Sequence, residues 1–346
     1  MASTRNASDD PRLRAATLPT NILSGLVQFA QERGIDASSW FAGFFLGPDD
    51  VCEPSARVSY RQALAIIRRA MAAMPEPGLG LLIGQHQGIG NFGLVGLAMK
   101  TARSFGDAVA IGITYQHATG TLLDLALEKL APGEIALRAR APLDDPVVLP
   151  FLCEEMFSSV LAVGRELAGS RLRPLRLELV YAMPPHVEAY RRLFGCELCF
   201  GAARNCLVID ACSLDQPFPS YNPVTARQAL ALLLRELQAM PVARSETVAA
   251  VERQLRQRIA QKPRLPEIAV SLYRSERTLR RQLAEEGESF LAIHDRIRCE
   301  RALELLRDRR LTVAQVGCQV GFGDVREFRR AFKRWTGRTP AEQRDC

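Results

Sequence analysis

Between Thr312 and Glu342 the chain reads TVAQVGCQVGFGDVREFRRAFKRWTGRTPAE, and few folds accommodate that order of residues. Thr312 with Gln315 three positions on is a capping box, so a helix starts there. Val313, Val316 and Val320 give that helix an apolar side, and Gly321-Phe322-Gly323 turns the chain. Asp324 with Glu327 predicts a second capping box and a second helix. On that helix Phe328 and Phe332 lie four apart and, with Ala331 and Trp335, face a core. The opposite face carries Arg326, Arg329, Arg330, Lys333 and Arg334. Thr339-Pro340-Ala341-Glu342 is a further helix start, with proline at the first helical position.

A weaker copy lies upstream, over residues 265–286. Ile268, Ala269 and Leu272 form the apolar side of its leading helix, and Tyr273-Arg274 occupies the turn. Ser275 caps the next helix, where Leu279 and Leu283 face inward and Arg277, Arg280 and Arg281 face out. Ser289 starts a joining helix to Leu306, with Phe290, Ile293, Ile297, Ala302, Leu305 and Leu306 on its core side. Two helix-turn-helix units, 265–286 and 312–335, would present basic helices to successive major grooves, roughly 34 Å apart.

Charge supports that partner. Residues 1–245 hold 23 basic and 23 acidic side chains, whereas residues 246–346 hold 22 and 15, so the whole net charge of +7 sits in the C-terminal region. Such asymmetry points to an anionic partner, double-stranded DNA ahead of a membrane surface. Arg277 and Arg280, and Arg326 and Arg330, are the candidates for base contact; Arg274, Lys333 and Arg334 suit phosphates. No apolar run approaches the roughly 20 residues that span a bilayer. The charged N-terminus does not read as a signal peptide. The nine cysteines are then expected to be reduced thiols in the cytoplasm.

Residues 20–220 read as one mixed α/β domain. Helices are expected at 21–33, 59–74, 105–123, 151–168 and 187–193, with strands at 134–140, 175–181, 198–200 and 206–209. Trp40, Phe41, Phe44 and Phe45 add core bulk. The apolar helix at 151–168 is a candidate dimer surface. Residues 221–245 form the linker region, with a helix from Thr225 and a hinge at 241–245; residues 246–346 form an all-α domain. Gly88 to Gly93 spells GxGxxG, but no strand precedes it and no acidic partner follows, so a packed glycine turn is the better reading.

Cys196, Cys199, Cys206 and Cys212 could bind zinc or sense oxidation, yet Cys199 and Cys206 fall in strands, where cysteine is ordinarily a small core residue. His86, His117, His186 and His294 are scattered, and Glu154-Glu155 and Asp144-Asp145 are spaced so that neither pair converges on one helix face. No nucleophile elbow or phosphate loop is present, so no enzyme and no cofactor are expected.

Residues 265–344 resemble the DNA-binding region of AraC/XylS-type transcription regulators. The likeness rests on Gly321-Phe322, Asp324, Phe328, Arg330 to Trp335, Gly337 and Pro340, and on Ser275, Arg277-Thr278-Leu279, Arg281, Leu283 and Gly287. The sequence departs from the pattern at Gly317, where alanine is usual. It also departs at Val325 and Arg326, commonly proline and then a small residue, and at Gln343, where an aromatic often precedes the last arginine. Residues 20–220 are similar to the arabinose-binding and dimerisation-type domain of a subgroup that includes ornithine-utilisation regulators, through Gly90, Gly93, Tyr181, Pro184, Tyr190, Phe194-Gly195, Phe200, Asn205, Asp210, Leu214-Asp215, Pro217 and Asn222. The resemblance implies a homodimeric, effector-sensing activator that contacts RNA polymerase. Tyr181, Tyr190, Arg191 and Asn205 are the candidate effector residues on residue type and that likeness. A constitutive DNA-binding protein whose first domain only dimerises, and a redox- or metal-responsive regulator, are the alternatives.

Overall fold

In the computed structural model the described residues are 13–44, 46–53, 56–169, 172, 174–239 and 244–344. They divide into two units, Met1–Ala243 and Arg244–Cys346. The first is mixed α/β and the second all α, as the sequence patterns predict. No helix among the described residues is long and apolar enough to cross a membrane.

The first unit begins with a two-stranded antiparallel pair, β1 (Leu18–Pro19) and β2 (Arg57–Val58), around α1 (Asn21–Gln31) and α2 (Pro48–Val51). Helix α3 (Tyr60–Ala73) starts on a capping box in which Ser59 accepts from the Gln62 N–H and Gln62 Oε1 from the Ser59 N–H. Trp40 and Phe41 are buried and Phe44 packs against the same core; Phe45 lies outside the described residues. Three short helices follow, α4 (Leu79–Gln85), α5 (Gly93–Lys100) and α6 (Phe105–Thr114).

The helix expected to run from Phe105 to Leu123 is shorter. It ends at Thr114, and a 3-10 turn spans Gln116–Thr119 before Gly120, whose φ of +79° leaves the helical path. A Cβ at Gly120 would also stand 2.9 Å from the Pro19 carbonyl oxygen. The released chain forms a strand that the pattern did not predict, β3 (Asp124–Ala131), paired antiparallel with β4 (Glu134–Arg140). The Gln116 amide fixes the start of β3, donating to the Leu125 carbonyl at 3.1 Å and accepting from its N–H at 2.6 Å.

Helix α7 (Leu149–Ala168), β5 (Pro174–Leu179), α8 (Val187–Phe194), β6 (Glu197–Phe200) and β7 (Asn205–Asp210) complete this α/β layer. The five-stranded sheet has the order β3-β4-β7-β5-β6, with only β5 and β6 parallel. Helix α7 is not the exposed dimer surface expected of it. Phe151, Leu152, Phe157 and Leu161 are buried, and α4 lies across it backbone to backbone. Gly80 and Gly84 allow that approach: a Cβ at Gly80 would meet the Phe151 carbonyl oxygen at 2.5 Å, and one at Gly84 would overlap Ser158. The GxGxxG letters form a 3-10 turn at Ile89–Phe92 rather than a strand-to-helix loop. Helix α9 (Pro223–Ala239), inside the stretch expected to link the domains, packs Leu233 against Val95 and Ala98. Most of the hinge expected at 241–245 lies outside the described residues.

In the second unit come α10 (Glu246–Arg258), α11 (Leu265–Ser271), α12 (Glu276–Glu285), α13 (Phe290–Leu306), α14 (Val313–Gln319), α15 (Val325–Thr336) and α16 (Pro340–Arg344). Ser245 caps α10 by accepting from the Val248 N–H. Along α13, Ile293, Ile297, Ala302 and Leu306 are buried, and so is His294.

Candidate nucleic-acid interface

The α14–α15 pair is built as its sequence dictates. Thr312 Oγ1 accepts from the Gln315 N–H at 3.2 Å, and Gln315 Oε1 from the Thr312 N–H at 2.7 Å. Gly321 takes a φ of +84° between the helices. Phe322, Phe328 and Phe332 stack with tilted rings 5.6–5.7 Å apart, and Trp335 closes on Phe322 at 5.8 Å. Arg298 of α13 lies over the Phe322 ring, 4.8 Å from its centre, and ties the turn to the joining helix. One detail differs from expectation. Asp324 caps α15 by accepting from the Arg326 N–H at 2.8 Å, one position earlier than the capping box predicts, and Glu327 does not complete the box.

This aromatic floor sets the opposite face of α15 outward. Arg326, Arg329, Arg330, Lys333 and Arg334 are all exposed. Arg334 pairs with Asp295 at 2.9 Å. The side chains of Arg326, Arg329, Arg330 and Lys333 carry no ion pair among the described residues. Four unneutralised cations on one helix surface favour a polyanion, because each contact with a phosphate releases a counterion.

Helix α12 is built on Leu279 and Leu283, both buried, with Ser275 accepting from the Thr278 N–H at 3.1 Å. Its cations are arranged differently. Arg280 pairs with Glu276 at 2.5 Å and Arg281 with Glu285 at 2.6 Å, each one helical turn apart. Arg274 is half-buried and donates to Gln282 Oε1 at 2.6 Å. Of the four α12-side candidates only Arg277 is exposed with no ion pair among the described residues. Phosphate binding by Arg280 or Arg281 therefore competes with a carboxylate already in place, whereas Arg326 and Arg330 need break nothing.

In the sequence Tyr273 reads only as a turn residue. It is 93% exposed and holds a φ of +49°, a backbone state that side chains with a Cβ disfavour. An aromatic ring with no packing, at the tip that precedes α12, is a surface presented for contact. Its signal in the sequence was an aromatic where a turn usually takes glycine or asparagine.

In the first unit the candidate effector residues fall into separate places. Tyr181 and Tyr190 meet, with hydroxyl oxygens 3.0 Å apart, and Tyr190 donates to Glu154 Oε1 at 2.7 Å. His186 Nε2 lies 2.6 Å from the same oxygen and its ring stacks on Tyr190. Burial raises both phenols above their ordinary range. Asn205 caps the end of β5, accepting from the Val180 N–H at 3.0 Å, and Arg191 is exposed beside Glu188. Tyr181 and Tyr190 are thus engaged in holding α8 and the end of β5 to α7, and Asn205 in holding β7 to the end of β5.

None of the four lines the apolar cavity of about 140 Å³ between α6, α7 and the sheet. Glu155, the neighbour of Glu154 on α7, points there instead, with Gln87 and Ser159. Burial pushes its carboxyl up to about 8, against a hydrogen bond from Gln87 that favours the charged form.

The four cysteines do not converge. β5 separates β6 from β7, and Glu178 of β5 stands between Cys199 and Cys206 in register. Burial, then Glu178, pushes the Cys206 thiol up to about 12, and burial, then Cys199 and Glu197, pushes the Cys196 thiol up to about 11. Among the described residues no group of His, Cys, Asp and Glu side chains could hold a metal ion.

Residues 34–218 match the family described as the arabinose-binding domain of AraC transcription regulator, N-terminal, and residues 268–345 match a helix-turn-helix domain. An ornithine utilization regulator of Pseudomonas aeruginosa is 27% identical over 96% of this chain and 97% of its own. An uncharacterized HTH-type transcriptional regulator of Mycobacterium tuberculosis is 30% identical over 92% of this chain and 93% of its own. The crystal structure of the transcriptional regulator CdpR from Pseudomonas aeruginosa is similar over 94% of this chain and 98% of its own, at 23% identity and a TM-score of 0.47.

Proposed function

Because the chain belongs to the AraC family of helix-turn-helix transcription regulators, and is a DNA-binding regulator, we propose that it is an effector-responsive activator of metabolic genes. It acts as a homodimer on promoter DNA in the cytoplasm. A small molecule bound in the first unit changes how the two helix-turn-helix pairs of each chain engage their half-sites. Activation follows from contact with RNA polymerase. The protein works by binding alone and releases its effector unchanged, without catalysis.

The observation that carries the reading is the division of labour between units. The second presents unneutralised Arg326, Arg329, Arg330 and Lys333 on a helix anchored by aromatic rings. The first holds a cavity whose lining includes the buried carboxyl of Glu155. The metabolic target is an analogy with the ornithine utilization regulator, and rests on fold and sequence likeness.

Footprinting on the chromosomal promoters, with and without candidate metabolites, tests it. A metabolite that shifts promoter affinity or footprint length supports the reading. Identical footprints across a broad metabolite panel would favour a constitutive protein whose first unit only dimerises. The raised thiols of Cys196 and Cys206 weigh against a redox- or metal-responsive regulator, since the thiolate is the reactive and ligating form.

A further inference from the structure

The cavity in the first unit has an unusual lining for a site that senses a polar metabolite. Its walls are apolar: Phe105, Val109 and Ile113 from the α6 side, Met156 and Val160 from α7, and Leu207 from β7. Gln116, Thr119 and Thr121 also line it but bond nearby backbone, and the remaining polarity gathers around Gln87, Glu155 and Ser159. Gln87 Nε2 donates to Glu155 Oε1 at 2.6 Å, and Ser159 donates to Gln87 Oε1 at 3.4 Å. Glu155 is 3% exposed. Its Oε2 takes part in no hydrogen bond among the described residues, and no Lys or Arg lines the cavity to neutralise it. A carboxyl oxygen that borders an apolar cavity is costly unless something fills the role of a partner.

We propose that this cavity takes a compact, largely apolar effector that carries one hydrogen-bond-donating head, seated on the Glu155 carboxyl. The proposal rests on the effector-responsive reading above and specifies its ligand class. Size sets one limit: a cavity of about 150 Å³ holds benzene, so one of about 140 Å³ suits one or two small rings or a short alkyl chain. Chemistry sets the other. A zwitterionic amino acid would bring an ammonium and a carboxylate, and the lining has no Lys or Arg to meet the second. The effector therefore differs in class from ornithine.

The test uses the full chain and two probes of nearly equal shape in calorimetric titrations without DNA. Indole has an N–H donor; 1-methylindole has the same rings and none. Indole is expected to bind one site per chain, and 1-methylindole about tenfold more weakly, the ordinary cost of one lost hydrogen bond. Glu155→Leu should level the two affinities, and Ile113→Phe, which fills space on the α6 wall and leaves the polar group intact, should abolish both. The Ile113→Phe variant keeps the test decisive if Glu155→Leu does not fold. Absence of indole binding, equal affinities for the two probes, or binding unchanged by Ile113→Phe would overturn the proposal. Promoter affinity is then measured with and without saturating indole. Saturable indole binding that leaves promoter affinity unchanged would overturn the effector reading while the ligand class of the cavity stands.

Discussion

Gly321 faces the carbonyl of Ile259 so closely that a Cβ on it would stand 2.5 Å from the oxygen. The same glycine holds a φ of +84° at the turn between α14 and α15. Two independent constraints thus forbid a side chain at the point from which the basic helix departs. Gly321→Ala should cost about 2–4 kcal/mol, the sum of left-handed strain and overpacking. Urea unfolding of the second unit reads this directly. An unchanged midpoint would mean that the turn is not under the constraint described.

Tyr273 makes the contrasting case. Its backbone is left-handed like that of Gly321, yet it carries a wholly exposed ring. Tyr273→Gly should stabilise the second unit by about 1 kcal/mol, because glycine removes the strain. If the ring touches DNA, promoter affinity should fall at the same time. Gain of stability with unchanged affinity would make Tyr273 a bystander.

His294 gives the second unit a defined response to acid. It is buried among apolar residues of α13, and burial, then the nearby Arg298, lowers its pKa to about 4, against Asp295, which raises it. Above about pH 6.5 the imidazole is neutral in both states and costs nothing. As pH falls from 6.5 towards 4 the unfolded chain takes up a proton that the folded chain refuses, so stability is lost across that window. The loss approaches about 3 kcal/mol at its lower end. Unfolding midpoints measured from pH 7 to 4.5 should fall more steeply for the wild type than for His294→Phe. Parallel curves would show that His294 does not titrate as described.

The glycine seam between α4 and α7 underlies the cavity, because it brings Gln87 onto Glu155. Gly84→Ala would press on Ser158 and on the Glu155 carbonyl at once. A loss of about 3 kcal/mol or more is expected, since backbone cannot yield as a side-chain tip does. A variant with wild-type thermal stability would show that the two helices separate freely.

Most of the second unit was legible in the sequence because its signals are local. Thr312, Gln315, Gly321 and Asp324 fix helix ends within a few residues of themselves, and Phe328 and Phe332 fix the buried face by spacing alone. The second capped pair and the helix joining it to the first made the two one DNA reader, and the family likeness agreed with that. What spacing did not reveal is which arginines are already neutralised: Arg280 and Arg281 look like Arg326 and Arg330 as letters, but Glu276 and Glu285 lie one turn away from them. The first unit was harder. β3 was hidden because Asp124–Ala131 buries none of its residues fully and lacks a buried, alternating face, and only Pro132-Gly133 before β4 hinted at a hairpin. The burial of α7 followed from Gly80 and Gly84, residues distant in sequence whose missing side chains make the contact. Glu155 gave no sign at all, since an acidic pair on a helix ordinarily points to water.

The most direct test of the central claim is promoter binding by the full chain at fixed salt, followed by fluorescence anisotropy on a duplex from its own upstream region. Wild type, Arg330→Ala and Arg281→Ala are compared, with circular dichroism to confirm that each is folded. Arg330→Ala should weaken binding by about 1–3 kcal/mol, roughly five- to a hundredfold, whereas Arg281→Ala, relieved of a pairing with Glu285, should lose less. Wild-type affinity in a folded Arg330→Ala protein, or a larger loss at Arg281 than at Arg330, would contradict the assignment of α15 as the principal DNA-reading surface.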